Sequence, residues 1–425
     1  MTSQSRKITL FLFIGLFVFF LSFIANSKKE QSTFMAGAAK INITPTTPIR
    51  MSGYGGRDEP FKGVHDSLYA TSTVFSDGSN KAVIITADLI GFSHDFCNET
   101  IQLIETATGI KKDHILLSAN HNHGGPINKT YSENKDPDIE QYVKELQQKI
   151  ITVVEIANSN MQPAMIGLGV GSCNMNINRR ARFADGNVWL GRNPDGPCDH
   201  DVSVIRIDDM DRNPIALHVN WPCHGTASGQ ENYQITGDWP GLAARFIEKE
   251  FGQEIIVPVT AGASADINPI YGPNDNFREI ETMGMMVGEE VLRVAATIRT
   301  FPSATITGSK MKVMANGKKP FESRAPNQKL ESAEKVPINL SVLKIGNIVI
   351  AGVSGELMTE IGMRIKEESP FKNTVIITHC DGASGYLCTN QAYPEGGYEA
   401  MVSKVMPGTE YLISDNLKKM ILSLK

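Results

Sequence analysis

Short apolar runs alternate with segments of helical periodicity from Phe34 to the end of the chain. Two pairs of apolar runs, at positions 68–89 and 202–222, flank polar turns and predict β-hairpins. Apolar residues recur at helical spacing in four longer segments. These predicted helices cover residues 139–158, 239–251, 277–298 and 359–368. The mixed order of strands and helices predicts an α/β fold, in which a mixed β-sheet flanked by helices forms a single large domain over residues 34–425.

The first 27 residues differ from the rest of the chain. Arg6 and Lys7 precede an uncharged, mostly apolar run over residues 8–25, and residues 25–27 are a suitable cleavage tripeptide. A basic start followed by such a stretch is typical of an export signal. The run is also close to the shortest length that spans a bilayer, so an uncleaved anchor is the alternative. We therefore predict an exported protein with a signal peptide or membrane anchor at 1–27 and a polar linker at 28–33. An anchor would associate it with a membrane through residues 8–25.

Composition excludes several functional classes. The chain has 425 residues and a formal net charge of -5. It lacks the basic balance of nucleic-acid-binding proteins, and we expect no nucleic-acid partner. The six cysteines contain no CxxC pair, which argues against a structural zinc site made of thiolates. The sequence also contains no GxSxG motif, P-loop or dinucleotide-binding fingerprint, which argues against a serine hydrolase or a nucleotide-binding enzyme.

Chemically reactive polar residues directly follow several of the apolar runs. Ligand sites in open α/β sheets form beyond the carboxyl ends of strands. We therefore expect these strand-end residues to converge on one site. They are Asp88, His121, His123, His224, Glu356 and Tyr386.

His121 and His123 are separated by one residue and precede two glycines. In an extended segment, residues i and i+2 point to the same face. The two imidazoles therefore either share a metal ion, or one binds the metal while the other transfers a proton. The alternative is that both are polar loop residues with ordinary hydrogen bonds. Histidines together with a carboxylate and an open position for water form the usual catalytic zinc arrangement, which favours a metal site.

The remaining strand-end residues each have a structural alternative. His224 also suits a core position, and Glu356 also suits the cap of the helix predicted after it, because carboxylates favour helix N-termini. Tyr386 also suits an ordinary packed position. Asp88 is either a helix cap or a hydrogen-bond partner of a histidine. Arg179 is either an exposed charge or part of an anion clamp.

The ordered set of motifs along the chain resembles the neutral/alkaline non-lysosomal ceramidase family, over its N-terminal catalytic domain. The matching stretches span nearly the whole predicted domain. They are GAAKINITP (37–45), GVHDSLYA (63–70), SANHNHGGP (118–126), INRR (177–180), CHGT (223–226), TGDWPGLAARFIE (236–248), GASADINP (262–269), GELMTEIGMRIK (355–366) and SGYLCTNQAYPEGGYEA (384–400).

This resemblance implies a zinc-dependent amidase that releases the fatty acid from ceramide, with Zn²⁺ as cofactor. By position, the implied zinc ligands are His121, His224, Glu356 and Tyr386. His123 is implied to transfer protons beside a zinc-bound water that attacks the amide carbonyl. Arg179 and Tyr398 are implied to line the site around the scissile amide.

Two features depart from the family pattern. The best-known members carry a serine where this chain has Asn268, within residues 265–270. They also continue into a C-terminal β-sandwich domain, whereas this chain stops at Lys425. The expectation is therefore a zinc hydrolase that acts on an acyl amide such as ceramide. The first alternative is a related deacylase or esterase acting on a soluble acyl substrate such as an acylated sugar. The second is an inactive surface protein that binds a ligand.

Overall fold

The computed structural model describes residues 34–128, 136–252, 255–302 and 304–424, so the predicted signal or anchor and the linker lie outside the described residues. The strands are β1 (Met35–Asn42), β2 (Gly63–Val64), β3 (Tyr69–Ser76), β4 (Lys81–Ala87), β5 (Ile115–Ala119), β6 (Gln162–Ser172), β7 (Asn176–Arg182), β8 (Val188–Asn193), β9 (Asp201–Asp209), β10 (Pro214–Trp221), β11 (Gln234–Ile235), β12 (Val259–Ala261), β13 (Ile267–Pro269), β14 (Ile306–Lys318), β15 (Ser332–Ile345), β16 (Ile348–Val353), β17 (Glu356–Leu357), β18 (Asn373–Ile377) and β19 (Tyr386–Leu387). The α-helices are α1 (His94–Thr108), α2 (Pro137–Ser159), α3 (Asp238–Phe251), α4 (Phe277–Ala295), α5 (Thr359–Glu368), α6 (Ala392–Glu395), α7 (Tyr398–Val402) and α8 (Thr409–Leu422).

Two large sheets organise the molecule. The first has eight strands in the order β12-β10-β9-β6-β1-β3-β4-β5, and the second has four in the order β14-β15-β16-β18. Both are mixed: β4 with β5, β10 with β12 and β16 with β18 pair in parallel, while their other neighbours are antiparallel. Parallel strands are usually buried on both faces, and the burial of β5, of β16 and of β4 after Lys81 agrees with this.

The two sheets pack face to face, with helices on their outer faces. Strand β4 shows the arrangement residue by residue: Val83 and Ile85 pack beneath α1 and α2, whereas Ile84 points between the sheets. Helices α3 and α4 cover the other half of the eight-stranded sheet, and α5 and α8 cover the four-stranded sheet. Four layers result, and the apolar faces of both sheets are removed from water.

The secondary structure predicted from the sequence is largely confirmed. The two predicted hairpins are β3–β4 and β9–β10, and the four predicted helices are α2, α3, α4 and α5 within a few residues at each end. The α/β class with helices flanking a mixed sheet is also confirmed. Helices α1, α6, α7 and α8 were not predicted. The buried face of α1 includes Cys97 and Thr100 beside its apolar residues, which weakens the apolar periodicity. No helix among the described residues is long and apolar enough to cross a membrane.

The two ends of the eight-stranded sheet approach each other. Strand β12 is one terminal strand, and β4 lies next to the other terminal strand, yet Thr86 Oγ1 in β4 donates to the carbonyl of Val259 in β12 at 3.1 Å. The right-handed twist that accumulates across a large sheet allows such an approach. The loops after β5 and β10 are therefore neighbours in space, although five strands lie between β5 and β10 in the order of the sheet.

Candidate metal centre and active site

Three buried histidines meet where the loops after β5 and β10 come together. His121 and His123 follow β5, and His224 follows β10. The centroid of the His121 ring lies 4.8 Å from that of His123 and 4.6 Å from that of His224. One ring nitrogen from each residue falls within 4.8 Å of the other two. The structure thus brings together the three histidines among the predicted strand-end residues.

His121 and His224 are oriented by the main chain. Nδ1 of His121 lies 2.8 Å from the carbonyl oxygen of Ile90, and Nδ1 of His224 lies 2.7 Å from that of Ser264. A carbonyl only accepts, so each Nδ1 donates its hydrogen, and each Nε2 presents a lone pair to the centre. This second hydrogen bond is the usual support of a metal-binding histidine.

Glu356 completes a triangle of ligand atoms. Its Oε2 lies 3.5 Å from Nε2 of His121 and 3.3 Å from Nε2 of His224, and it has no hydrogen-bond partner among the described residues. Ligands about 2.0–2.1 Å from a tetrahedral zinc stand about 3.3–3.4 Å apart, so these separations suit that ion. The two nitrogens and the carboxylate also form a donor set that zinc binds.

The charge states of these groups agree with metal binding. Burial, and then the nearby Arg179, lower the pKa of His224 to about 4. Burial alone would raise the pKa of Glu356, but His121 and His224 lower it well below its usual value. At neutral pH His224 is therefore neutral and Glu356 is ionised. Those are the forms in which imidazole and carboxylate bind metals.

Tyr386 lies beside Glu356 because the short strands β17 and β19 pair in parallel, with the two residues as direct partners. Burial and the Glu356 carboxylate raise the pKa of Tyr386 well above its usual value. Its hydroxyl accepts a hydrogen bond from Nη2 of Arg179 at 3.2 Å. The fourth ligand implied by the resemblance is therefore adjacent to Glu356, and its role as a ligand stays a prediction.

Arg179 is a buried clamp and not an exposed charge. Its Nε donates to Oε1 of Glu399 at 2.7 Å, and its Nη1 donates to Oδ1 of Asn268 at 3.2 Å and lies 3.2 Å from Nε2 of His224. The second oxygen of Glu399 accepts from Nη1 of Arg180 at 2.8 Å. One buried carboxylate thus orients two consecutive arginines.

An aromatic wall leads outward from the centre. The Tyr398 ring packs edge-on against Tyr386 at 5.6 Å and against Trp189 at 5.8 Å. The guanidinium of Arg324 lies 5.1 Å from the centroid of Trp189. Trp189 and Tyr398 are half-buried. Rings with polar edges at such positions offer both apolar contact and hydrogen bonds to a ligand.

Two alternatives considered from the sequence are wrong. Glu356 does not cap α5, because the carboxylate of Asp266 accepts the amide hydrogen of Thr359 at 2.9 Å. Asp88 contacts neither histidine ligand; it accepts from the amide of Tyr69 at 2.9 Å and from Nδ2 of Asn120 at 2.7 Å. Asp88 therefore supports the loop that carries His121 without touching its ring.

Two further residues of the site were not predicted. His379 stacks on His121 with 3.8 Å between centroids and 15° between ring planes, and its φ is 51. It follows β18 closely, so the strand-end rule applied to that strand would have found it. Glu399 had no such signal, because it lies 220 positions from its partner Arg179 in the chain.

Comparison with solved structures defines the class of fold. The chain superposes with a TM-score of 0.80 on a structure described as ceramidase complexed with C2, at 15% identity, covering 92% of this chain and 75% of that one. It also superposes with a TM-score of 0.77 on the neutral ceramidase of Pseudomonas aeruginosa, at 17% identity, covering 92% of this chain and 74% of that one. The fold is therefore that of these ceramidases.

The sequence comparison identifies the family. The model of the neutral/alkaline non-lysosomal ceramidase N-terminal domain matches residues 34–267, and the chain belongs to this family. It is 28% identical over 242 residues to neutral ceramidase A of Dictyostelium discoideum, covering 54% of this chain and 34% of that protein. It is 24% identical over 251 residues to the neutral ceramidase of Drosophila melanogaster, covering 55% and 35%. These matches span about a third of the relatives' length.

Proposed function

We propose that this protein is a zinc-dependent amidohydrolase of the ceramidase type, in which water attacks the carbonyl carbon of an acyl amide. The observation that carries the proposal is the convergence of Nε2 of His121, Nε2 of His224 and Oε2 of Glu356 at separations of 3.3–3.5 Å between the carboxylate and each histidine. The main-chain hydrogen bonds to both Nδ1 atoms support the same conclusion, because they direct the lone pair of each Nε2 towards the centre.

The metal would be held by His121, His224 and Glu356, with Tyr386 as the fourth ligand implied by the family. When bound there, zinc supplies a Lewis acid that polarises a carbonyl and lowers the pKa of water. The chain's own residues then orient the substrate and move the proton.

His123 is the residue proposed to move that proton. Burial, and then the neighbouring His121 and His224, lower its pKa well below the usual value, so its imidazole is neutral at pH 7. A neutral imidazole beside the centre accepts a proton from the attacking water and returns it to the departing amine nitrogen. That transfer converts a poor leaving group, an amide anion, into a neutral amine.

Arg179 and Tyr398 are proposed to position the acyl group. The guanidinium of Arg179 borders both His224 and Tyr386, so it brings fixed positive charge next to the oxygen on which negative charge develops. Its two bonds to neighbouring oxygens and its pairing with Glu399 hold it in that orientation before substrate arrives. Tyr398 forms part of the wall beside it.

Ceramide is the first substrate we propose, because the relatives that match are named neutral ceramidases. Asn268 changes the site from the pattern of the best-known members: a carboxamide bonded to Arg179 stands where they carry a hydroxyl. A soluble N-acyl or O-acyl sugar is therefore included in the test, because the donor and acceptor groups nearest the scissile bond differ.

The experiment measures metal content and hydrolysis on the purified protein. Elemental analysis should find about one zinc per chain, as expected for a mononuclear hydrolytic site. Activity is then measured on a long-chain ceramide, an N-acyl amino sugar and an O-acyl sugar in ¹⁸O-labelled water, with the released acid analysed by mass spectrometry. We expect acid carrying ¹⁸O, and loss of turnover after chelation that zinc restores.

A matched control separates the centre from general effects of losing a buried histidine. His218 is also buried, bonds Thr73 Oγ1 at 2.8 Å, and lies outside the cluster. His218→Gln should keep its zinc and its turnover, whereas Glu356→Gln should lose both. Full activity in metal-free protein, or released acid without label, would refute the proposal.

A further inference from the structure

The glycine-rich segment from Ser52 to Arg57 lies directly against His123. Gly53 adopts a φ of +96, and a Cβ added there would lie 2.6 Å from Cγ of His123. The ring of Tyr54 meets the His123 ring edge-on, with 5.2 Å between centroids. Only a residue without a side chain allows the backbone to approach the imidazole this closely.

The Arg57 side chain connects this segment to the site by donating hydrogen bonds to main-chain carbonyl oxygens. The residue as a whole is almost fully buried, with 5% exposure. Its hydrogen bonds run from Nη1 to the carbonyls of Ser52 at 3.1 Å and His123 at 2.6 Å, from Nη2 to Gly229 at 2.6 Å, and from Nε to Gln230 at 3.1 Å. Four acceptors on three separate stretches of chain thus share one planar donor group, a geometry that the guanidinium fork permits and an ammonium group does not.

These bonds join the two loops that form the metal centre. One acceptor belongs to the loop of His121 and His123, and two belong to the loop that continues from His224. The amide hydrogen of His123 is also held, by the carbonyl of Gly225 at 2.9 Å. The main-chain N–H and C=O of His123 are therefore both hydrogen-bonded. Nδ1 of its ring has no hydrogen-bond partner among the described residues.

The loop beyond His224 is secured from its other side as well. The carboxylate of Asp238 accepts the amides of Ala227 at 3.1 Å and Ser228 at 2.7 Å. The Tyr54 hydroxyl donates to the carbonyl of Ser228 at 2.8 Å, and the Arg57 guanidinium packs 4.7 Å from the Tyr54 ring centroid. Arg57 is thus the member of this network that reaches the backbone of His123.

We propose that Arg57 is a positioning residue for His123: by holding the His123 carbonyl and the Gly229–Gln230 carbonyls together, it sets where the imidazole stands relative to His121 and His224. The inference rests on the proposed function of His123 in proton transfer. Arg57 contacts no predicted metal ligand and acts through the main chain. A displacement of about 1 Å in a reacting group is enough to cost on the order of 10²-fold in rate.

The test compares Arg57→Lys with a matched arginine elsewhere. Arg206 also donates to two carbonyls, those of Ala295 at 3.0 Å and Arg212 at 3.3 Å, and lies away from the centre. We expect Arg57→Lys to keep its zinc and its KM within about twofold while kcat falls on the order of 10–10²-fold. Arg206→Lys should retain the kcat of the unaltered protein. A kcat for Arg57→Lys equal to that of Arg206→Lys, or a loss of zinc that accounts for the whole fall, would overturn the proposal.

Hydrogen–deuterium exchange gives a readout that does not depend on turnover. In Arg57→Lys, peptides covering residues 119–126 and 224–232 should exchange faster than in the unaltered protein, with other core peptides unchanged. If the unaltered protein shows no hydrolysis, the proposed function is wrong. The exchange pattern still tests whether Arg57 holds the two loops together.

Should Arg57→Lys not fold, Tyr54→Phe removes one bond of the same network. It should give faster exchange at 224–232 and a smaller fall in kcat; unchanged exchange and kcat would contradict the network.

Discussion

Nε2 of His123 lies 3.3 Å from Nε2 of His121, yet only the His121 ring is anchored through Nδ1 to a main-chain carbonyl. Nδ1 of His123 is buried without a hydrogen-bond partner among the described residues. An anchored ring with an inward lone pair suits a ligand, whereas a ring whose Nδ1 has no partner is not held in one tautomer, which suits proton transfer. The alternative assignment makes His123 a ligand, since one ring nitrogen from each of the three histidines lies within 4.8 Å of the other two. We favour the first because Glu356 already completes a triangle with His121 and His224.

Replacing His121 and replacing His123 should therefore impair the protein in different ways, the first through zinc binding and the second through the rate of hydrolysis. His121→Ala should lose zinc, because removing one of a few ligands weakens the whole site. His123→Ala should keep most of its zinc and lose about 10²–10⁴-fold in kcat/KM, the usual contribution of a general acid or base. Bound zinc and kcat/KM are measured for both variants in parallel. Equal loss of zinc in the two would make His123 a ligand and reverse its assignment.

Glu399 should matter for both stability and rate, because its carboxylate pairs with Arg179 at 2.7 Å and Arg180 at 2.8 Å in a buried position. Glu399→Gln removes the carboxylate that pairs with the buried Arg179 and leaves Arg180 paired with Glu395 alone, and breaking a buried pair typically costs about 3–5 kcal/mol. We expect lower stability in denaturant titrations and a fall in kcat, since Arg179 loses its orientation. Glu395→Gln is the control: Glu395 is more exposed, and its loss should cost under about 1 kcal/mol. Similar effects of the two changes would argue against a special role for Glu399.

Asp266 should make stability depend on pH in an identifiable direction. Burial raises its pKa to about 6. Because this folded-state value is higher than that of an unfolded carboxyl, the protonated group stabilises the folded protein at low pH, and the contribution is lost as pH rises through about 6. The stability advantage of the unaltered protein over Asp266→Asn should therefore shrink between about pH 4 and pH 7. Urea titrations across that range measure it.

The matched variant for this pH test is Asp185→Asn. Asp185 is an exposed turn residue whose pKa is lowered by hydrogen bonds from Asn187. Its replacement should show no such shrinking difference. A constant difference for Asp266→Asn across the same range would mean that Asp266 does not take up a proton there.

Trp189 should influence substrate binding more than the chemical step. It stands two rings away from Tyr386 along the aromatic wall and is only half-buried. Trp189→Ala should raise KM about tenfold for a substrate with a bulky group remote from the scissile bond, close to the 0.5–1.5 kcal/mol scale of one aromatic contact. The neighbouring exposed Leu190 offers the control Leu190→Ala, which should leave KM unchanged. A fall in kcat at constant KM would place Trp189 in the reaction itself.

Export is the remaining prediction from the sequence, and residues 1–33 lie outside the described part of the chain. The basic start and apolar run at 8–25 predict that the mature protein begins near Lys28 and is found outside the cytoplasm. N-terminal sequencing after cell fractionation tests this. Retention of Met1 in a membrane fraction would favour the anchor, and retention of Met1 in the soluble cytosol would contradict export altogether.

Local patterns in the sequence were sufficient for much of the fold. The alternating runs at 68–89 and 202–222 identified both hairpins, since a strand's period of two is visible in a few residues. The position of His121, His123, His224, Glu356 and Tyr386 after apolar runs also identified residues that meet in space. The same rule gave a wrong interpretation for Asp88, which ends a strand yet bonds Tyr69 and Asn120. A strand end is a position, and it does not specify where the side chain points.

The sequence by itself determined which residue types stand at the strand ends, because apolar periodicity and side-chain chemistry are local properties. Only the tertiary structure decided that the histidines after β5 and β10 lie at one place. This requires the two ends of the eight-stranded sheet to approach each other, as the hydrogen bond from Thr86 to Val259 shows. The tertiary structure also decided that Glu399 orients Arg179 and that Arg57 holds the backbone of His123. Those contacts join residues 220 and 66 positions apart, and no periodicity along the chain encodes such a distance.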